Sequence, residues 1–326
     1  MKKTIDTNYT FSSETRGKHT LPELCQMMSR HVTACGVTVS ADECAHVISA
    51  MASHRLLYVE GSGEGDVMLA NAIASFLGHS GSATVCKADT GSLSALMGGK
   101  DVNEPLADKL RAITGTGSLG AVVIDNREGA DLSGVLAELE GYFSDENETH
   151  EVRVDGGSIV LPKNAYFIFV LPEGRGRELI GNELYSFACP IVCDRLITLV
   201  TNEDEMLSAE IKAEEFSELV RNAYLKLQPS DEDWLRIDRI DALLSLRVGM
   251  GFGNDGYLTM EKYVSVFNAC TGDYRRAIDV LVAEHVSAVA RKASKEDGEA
   301  LCSLLSSMTN ELPLPKAQNA ASMLAR

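Results

Sequence analysis

The sequence predicts an α/β fold built on a parallel sheet and followed by an all-helical unit. Three features of its 326 residues support this prediction. Five short apolar runs alternate with longer segments of helical periodicity, which is typical of a parallel sheet with helices between its strands. Each run is apolar throughout, as in strands that are covered on both faces. Beyond residue 205 the strand signals stop and helical periodicity continues alone.

The predicted strands are short and rich in β-branched and aromatic residues. In chain order they lie at Leu56–Val59, Ala83–Cys86, Ala121–Asp125, Ala165–Leu171 and Leu196–Val200. Before the fourth of these strands, Val152–Val160 carries a Gly-Gly pair at its centre. Such a pair between two apolar runs indicates a β-hairpin, inserted here between the third and fourth strands.

Helical periodicity fills most of the remaining chain. Two leading helices are predicted at Leu21–Cys35 and Ala41–Ser53, and Ser40 with Glu43 forms a capping box at the start of the second. Five further helices follow the last strand, at Ala209–Leu227, Asp231–Arg247, Thr259–Ala269, Tyr274–Ser294 and Lys295–Met308.

These elements predict a simple domain organisation. Residues 1–20 are polar and are expected to be flexible. An α/β domain with its leading helices is expected over residues 21–204, and a helical domain over residues 205–326, with a linker near Thr201–Glu205. The segment after Pro313 is expected to be a loose tail.

The formal net charge of −17 limits the partners of this chain. Such a field repels phosphate backbones, so we expect no direct nucleic-acid binding unless a local basic patch overrules it. No run of about 18 apolar residues indicates a membrane span. The first residues lack the apolar core of a signal peptide, and the eight cysteines are scattered. We therefore expect a cytoplasmic protein with reduced cysteines.

The first strand leads into a glycine-rich turn and then a helix, the context in which phosphate-binding loops occur. Glycines let backbone N–H groups surround an anion, and the helix N-terminus attracts negative charge. A working loop also needs a lysine for the phosphates and a Ser or Thr for magnesium. Read alone, the glycines also fit a plain strand–helix turn. The candidate loop comprises Gly61, Ser62, Gly63, Glu64, Gly65, Asp66 and Val67.

Asp66 and Val67 stand where the loop would need its lysine and its Ser or Thr. Losing the lysine removes a contact worth about 1.5–3 kcal/mol. A carboxylate there repels a triphosphate by about 4 kcal/mol for each pair of charges ~4 Å apart at an effective dielectric of ~20. Glu60 and Glu64 add negative charge. Magnesium held by Asp66 would offset part of this repulsion, but Val67 supplies no oxygen, so we expect no unassisted hydrolysis of ATP or GTP.

With this loop aligned, residues 40–200 resemble AAA+ ATPases of the McrB-like branch and their MoxR-like relatives. The family loop reads G-x-S-G-T-G-K-T, and the family's Walker B strand ends in Asp-Glu. Here that strand ends in Asp125-Asn126. The resemblance implies magnesium at Asp125. It also places Asn126, whose amide cannot act as a base, in the position of the catalytic glutamate.

Two later segments extend this resemblance. Relatives enter the fourth strand with Pro-x-Asn-x-Tyr, which Pro162, Asn164 and Tyr166 retain. Relatives leave that strand with a sensor asparagine, which Pro172 replaces. Arg195 matches the arginine of the family's Asp-Arg pair, which makes it a candidate arginine finger; an ordinary ion pair is the alternative. The helical unit corresponds to the family's lid, whose sensor 2 candidates here are Arg236, Arg239, Arg247 and Arg275.

The resemblance implies a subunit of an AAA+ homo- or hetero-oligomer, in a class associated with defence against foreign DNA. Because Asp66, Val67, Asn126 and Pro172 replace catalytic residues, we expect a degenerate scaffold or regulatory subunit without a nucleotide cofactor. Its Arg195 would complete the site of an active neighbour. One alternative is an ATP- or GTP-dependent motor with magnesium at Asp125 and Asp66. Another is a stand-alone binding module.

Overall fold

The computed structural model describes residues 19–61, 63–78, 85–87, 93–98, 106–144, 149–154, 157–181, 188–191, 196–197, 211–226, 228–289 and 292–326. Within these ranges the strands are β1 (Val37–Thr38), β2 (Leu56–Glu60), β3 (Val85–Lys87), β4 (Gly120–Asp125), β5 (Glu151–Val154), β6 (Gly157–Val160), β7 (Ala165–Leu171), β8 (Ala188–Pro190) and β9 (Leu196–Ile197). The helices are α1 (Leu21–Ala34), α2 (Ala41–Ser53), α3 (Glu64–Leu77), α4 (Leu93–Gly98), α5 (Leu106–Thr116), α6 (Ser133–Ser144), α7 (Gly176–Ile180), α8 (Ala213–Lys226), α9 (Asp231–Val248), α10 (Gly253–Thr271), α11 (Tyr274–Val289), α12 (Lys295–Met308) and α13 (Pro315–Leu324).

Five strands form a parallel sheet in the order β3–β4–β7–β2–β8. Each neighbouring pair in this sheet is parallel. β5 and β6 pair antiparallel and form the predicted inserted hairpin. The predicted α/β class, with a helical region after the sheet, is therefore confirmed.

The sheet packs between two layers of helices. β2 and β7 lie in its middle and are buried along almost their whole length. One face, which includes Leu57 and Ile168, packs in one core with α1, α2 and α3. The opposite face, which includes Tyr58 and Phe167, packs in a second core with α4, α5 and α6. This burial on both faces explains why the strands are apolar throughout.

The order of the connections creates a topological switch point at the carboxyl ends of β2 and β7. After β2 the chain crosses one face through α3, whereas after β7 it enters α7, whose Ile180 packs in the core of the opposite face. β2 and β7 are neighbours, so the chain leaves two adjacent strands toward opposite faces of the sheet. Open α/β sheets bind ligands at such a switch point, outside the carboxyl ends of the strands. The glycine-rich turn after β2 lies at this point.

The fifth strand of the sheet differs from the prediction. Residues 188–190 form it as β8 beside β2, whereas Leu196–Ile197 pairs antiparallel with β1 in a separate two-stranded sheet. The assignment of Leu196–Val200 to the main sheet is therefore wrong, and residues 198–200 lie outside the described part. β8 gives a weak sequence signal because it is short and contains Pro190. A residue without a backbone N–H is tolerated only at such a sheet edge.

The helical region shares a core with the leading helices. α2 packs along α10, and Nδ1 of His46 lies 2.8 Å from the hydroxyl oxygen of Tyr263 at their contact. Burial lowers the pKa of the His46 imidazole to about 4. His46 is therefore a neutral core residue that joins the two parts of the chain.

The helix boundaries agree closely with the prediction in some places and poorly in others. α2 and its capping box are confirmed as predicted, whereas α10 is longer than Thr259–Ala269 and α11 ends before Ser294. Residues 1–18 and the predicted linker at 201–205 lie outside the described residues, so the domain boundaries stay predictions. Among the helices that the structure describes, none combines the length and apolarity that crossing a bilayer requires.

The predicted loose C-terminal tail is instead a packed helix. α13 lies against α11 and α12, and its Ala317 and Ala321 are fully buried. Its start is capped by Asp279 of α11, whose two carboxylate oxygens accept the N–H groups of Lys316 and Ala317, each at 3.0 Å. The prediction fails because the cap comes from a residue far away in sequence, and because small residues that allow close packing also occur in loops.

Candidate functional site

Predicted site segments converge at the carboxyl edge of the sheet. The glycine-rich turn, residues 61–65, follows β2; Asn126 follows β4, and Pro172 follows β7. We call residues 61–65 the glycine loop. The Gly61 N–H donates to the Leu171 carbonyl at 2.9 Å, so the loop starts directly beside the end of β7.

Asp66 closes the glycine loop from inside. It is the third residue of α3, and its Oδ2 accepts the Gly63 N–H at 2.9 Å. The side chain is only 4% exposed, and its carboxylate lies against Gly61 where an added Cβ would have no room. The N–H groups at a helix N-terminus are the groups with which such loops bind anions. In this chain the anion is the protein's own carboxylate.

Arg127 lies beside Asp125, where the resemblance places magnesium. Its Nε and Nη2 donate to the two carboxylate oxygens of Asp125, each at 2.9 Å. Its Nη1 donates to Glu64, at the start of α3, at 3.0 Å. The hydrogen bonds to Asp125 and then to Glu64 raise the pKa of Arg127 further above its ordinary value. The guanidinium thus compensates Asp125 and ties the end of β4 to the glycine loop.

Asn126, which the resemblance aligns with a catalytic glutamate, has a structural role here. It is 1% exposed. Its Nδ2 donates to the Ala130 carbonyl at 3.0 Å, and its Oδ1 accepts the Ala130 N–H at 2.8 Å. The amide uses one group of each kind to hold the turn after β4. An amide in this arrangement has no basic atom that would take a proton from water.

Glu60 clamps the segment that follows β7. Its Oε1 accepts the Gly176 N–H at 2.6 Å, and its Oε2 accepts the Gly174 N–H at 3.1 Å. The Pro172 carbonyl accepts the Arg175 N–H at 3.1 Å in the same turn. Pro172 contributes no polar side-chain atom, because proline has none. The carboxylate of Glu60 therefore stabilises the backbone of the neighbouring segment.

This arrangement does not fit a magnesium–nucleotide complex. Both oxygens of Asp125 bind Arg127, and Oδ2 of Asp66 accepts an N–H of the glycine loop. Val67 has no oxygen in its side chain and packs, half-buried, against the core. In the described ranges no group of three or more His, Cys, Asp or Glu residues is placed to hold a metal ion.

Some predicted site residues are not at this edge or are not described. Ser62 and Arg195 lie outside the described residues. Two of the four candidate sensor arginines, Arg236 and Arg275, lie 2.7 and 3.7 Å from the carboxylate of Asp233 within the helical region. Both guanidinium groups therefore form ion pairs within the helical region.

The helical region contributes a carboxyl group to the electrostatics of this edge. Burial, and then the charge of Glu60, raises the pKa of Glu284 on α11 to about 7, against the opposing charge of Lys316. Burial and then the charge of Glu284 raise the pKa of Cys189 in β8. α11 therefore adds an acid to this side of the molecule.

Two residues of this arrangement were not predicted in their roles. Arg127 follows Asp125 by two positions at the end of a strand. This spacing permits the bidentate contact, so the sequence contains a signal from which the contact could be predicted. Glu60 appears in the sequence only as additional negative charge. Its clamping role gives no local signal because its N–H partners lie 114 and 116 residues further along the chain.

No protein-family profile matches the chain, and no curated protein matches it either. Among solved structures, one similar chain is a crystal structure described as a "putative ATPase" from Cytophaga hutchinsonii. It has a TM-score of 0.46 and 9% identity, over 77% of this chain and 82% of that chain. A similarity at this level carries no argument about function. The fold described above rests on the strand order and pairing of this chain itself.

The contact between Asp66 and Gly61 predicts a specific coupling. Gly61 has no positive φ, so only the missing Cβ matters at this position. Gly61→Ala should lower the free energy of unfolding by about 1–3 kcal/mol, because the new methyl group displaces the Asp66 carboxylate. In an Asp66→Ala background the same change should cost at least about 1 kcal/mol less. Urea unfolding of the four proteins measures the coupling, and additive effects would contradict the placement of Asp66.

The raised pKa of Glu284 predicts a loss of stability with rising pH. The folded chain holds this proton to about pH 7, whereas the ordinary value is 4.5. The protonated Glu284 therefore stabilises the folded chain fully below pH 4.5, and this stabilisation is lost as the pH rises through about 7. The loss amounts to at most about 3 kcal/mol.

Glu284→Gln should remove this loss. Thermal unfolding at about pH 5 and about pH 8 should show the variant gaining on the wild type at the higher pH. Glu299→Gln, which changes an exposed carboxyl on α12, is the matched control and should leave the pH dependence unchanged. An equal change in melting temperature between the two pH values for the wild type and Glu284→Gln would show that the pKa of Glu284 is not raised.

Proposed function

We propose that this chain is a catalytically degenerate AAA+-like subunit that acts as a scaffold or regulatory component of a larger assembly. One observation carries the proposal: the Asp66 carboxylate accepts the Gly63 N–H and lies on the glycine loop. The loop has the position and the backbone N–H groups of an anion site, and the carboxylate of Asp66 serves as the anion.

A nucleotide that entered this loop would meet two costs. It would have to displace a buried carboxylate from its hydrogen bond, a loss of about 1.5–3 kcal/mol for a bond to a charged group. Its phosphates would also lie near the displaced charge, which repels each phosphate charge by about 4 kcal/mol at ~4 Å and an effective dielectric of ~20. No lysine compensates for these costs, because Asp66 stands in its place.

Hydrolysis would require further rearrangement. Magnesium at Asp125 would have to replace a bidentate guanidinium. Water activation would need a base where Asn126 holds a turn through Ala130. The changes therefore affect three separate parts of the chemistry, which are phosphate binding, metal binding and proton transfer. This supports a subunit without a nucleotide cofactor in preference to a motor with altered residues.

The role in an assembly rests on the resemblance of residues 40–200 to the McrB-like and MoxR-like branch. Sites in that family form between subunits, so an inactive subunit still contributes a surface to an active neighbour. Arg195 is the residue that we propose for this contribution. A cytoplasmic location and a link to defence against DNA belong to the same proposal by analogy.

Nucleotide assays of matched variants test the catalytic part of the proposal. With ATP or GTP, the wild type should show no turnover and no magnesium-dependent gain in affinity. The double variant Asp66→Lys/Val67→Thr should gain magnesium-dependent binding by at least about tenfold, because it restores the charge-assisted contact and the metal oxygen. Asp66→Ala, which removes the internal anion without adding a lysine, is the control. The double variant should not turn nucleotide over while Asn126 remains.

Turnover by the wild type would contradict the proposal and favour the motor alternative. Magnesium-dependent binding to the wild type that Asp66→Ala leaves unchanged would show that Asp66 does not close the loop. Isothermal titration calorimetry and phosphate release measure these two outcomes separately.

The native mass of the chain tests the scaffold role. The chain alone has a mass of 35.2 kDa. In an extract of its native cells it should elute from a size-exclusion column, with light scattering on the enriched fraction, as an assembly of at least about twice that mass. Arg195→Ala should reduce the activity of the co-eluting ATPase without dissolving the assembly. Elution only as a monomer would favour a stand-alone binding module.

A further inference from the structure

The opposite edge of the sheet carries two adjoining cavities. Their volumes are about 930 and 320 Å³. Both are lined by Arg55, which precedes β2, by Lys163, which precedes β7, and by Arg221 of α8. They therefore lie at the amino ends of the strands, whereas the glycine loop lies at the carboxyl ends. Neither cavity is lined by a residue of the glycine loop.

The two cavities together are lined by more basic than acidic side chains, on a strongly negative chain. Five basic side chains from five separate segments line the two cavities, against the two carboxylates of Glu214 and Glu218. The chain as a whole carries a net charge of −17. A local excess of cations on such a chain is what a recognition site for an anion requires. We call the following set the basic groove: Arg55, Lys163, Lys212, Arg221 and Lys262.

Two cations of the basic groove are held in place by the fold. The guanidinium carbon of Arg55 lies 5.1 Å from the ring centroid of Tyr142. The Tyr142 hydroxyl is itself fixed by hydrogen bonds to the backbone carbonyls of residues 162 and 165. Nζ of Lys212 donates to the Thr116 carbonyl at 3.0 Å. Both contacts restrict the motion of the side chain beside the cavities, which lowers the entropy cost of binding an anion there.

The smaller cavity gives the groove an apolar recess. Its walls include Met51, Leu119, Phe216 and Val220, with His54, Tyr166 and Tyr224 beside them, and the Tyr224 hydroxyl donates to Glu261 at 2.9 Å. The recess opens on the same Arg55 and Lys163 that line the larger cavity. A ligand that fits both parts has a charged portion and a compact uncharged portion.

We propose that the basic groove binds a nucleotide-sized anion that carries phosphate groups, with its uncharged part in the recess. Several cations around one cavity match the multiple charges and oxygen acceptors of phosphate better than the single charge of one carboxylate. Each of the two cavity volumes, taken singly, falls in the range of roughly 300–1,000 Å³ that is typical of small-molecule sites. This site is separate from the glycine loop and does not depend on magnesium.

Three phosphate probes test the proposal in the presence of EDTA, which removes magnesium. They are inorganic triphosphate, ATP and a single-stranded oligothymidylate of about ten nucleotides. At least one should bind the wild-type chain, and raising the salt concentration should weaken it. Tighter binding of ATP than of the other two assigns the ligand to free nucleotides. Tightest binding of the oligonucleotide would assign the groove to a nucleic-acid backbone, and tightest binding of triphosphate would show that the recess takes no part; either result would overturn the proposal.

Charge reversals in the groove identify the site. Lys163→Glu and Arg221→Glu change exposed residues that line both cavities, and each should weaken binding by at least about tenfold. Lys295→Glu, on the exposed start of α12, makes the same change in net charge and should bind as the wild type does. Thermal unfolding checks that all three variants fold.

The outcomes separate this site from the glycine loop. Absence of binding by all three probes overturns the proposal, as does equal binding by the wild type and the groove variants. Binding of an oligoglutamate peptide instead of the phosphate probes would assign the groove to an acidic protein segment and overturn it too. Nucleotide binding that requires magnesium and is unchanged in Lys163→Glu and Arg221→Glu would lie outside the basic groove and would overturn the proposal.

Discussion

The hydrogen bond between the Asp66 carboxylate and the Gly63 N–H determines both the shape and the chemistry of the loop after β2. A helix N-terminus carries partial positive charge and N–H groups without partners in the helix. In a phosphate-binding loop the ligand supplies the matching anion. Here the third residue of α3 supplies it, so the helix start is stabilised in the absence of any ligand. The same contact explains why residue 61 is glycine, since a side chain there would occupy the space of the carboxylate.

The other acidic residues around the loop follow from this arrangement. Without partners, the carboxylates around this loop would repel one another and would destabilise the carboxyl end of the sheet. In this chain Asp125 and Glu64 share Arg127, while Glu60 accepts two backbone N–H groups of the segment after β7. Each of these charges has a partner inside the fold. The acidic loop is thus part of a connected set of structural contacts.

The sequence was informative where the cause of a structure is local. α2 was predicted to the residue because the capping box of Ser40 and Glu43 and the apolar spacing lie within the helix itself. β7 was predicted equally well because every residue in it is buried. The fifth strand and α13 were missed because their causes are distant: β8 is held by its pairing with β2, and α13 is capped by Asp279.

The same distinction applies to the site. The positions that depart from the family pattern, such as Asn126, could be found by aligning a motif, because a motif is a local property. The new bonds of these residues could not be found in that way. The turn that Asn126 holds and the clamp that Glu60 forms depend on which backbone groups the fold places beside them. A sequence therefore reveals the loss of a catalytic group more readily than the role of its replacement.

The distribution of these contacts determines how readily substitutions could give the loop a lysine or free Asp125 for a metal. A lysine at position 66 would leave the Gly63 N–H without its carboxylate and would put a cation into the space beside Gly61 that the carboxylate fills. Releasing Asp125 for a metal would in turn require Arg127 to move, which would leave Glu64 without its partner. The Asp125 side chain is only 9% exposed, so loss of its guanidinium partner would cost about 1–3 kcal/mol, whereas the exposed Glu64 would be hydrated by water. In the proposed degenerate subunit, the structural use of this edge is therefore maintained by the network of contacts and not by any one residue.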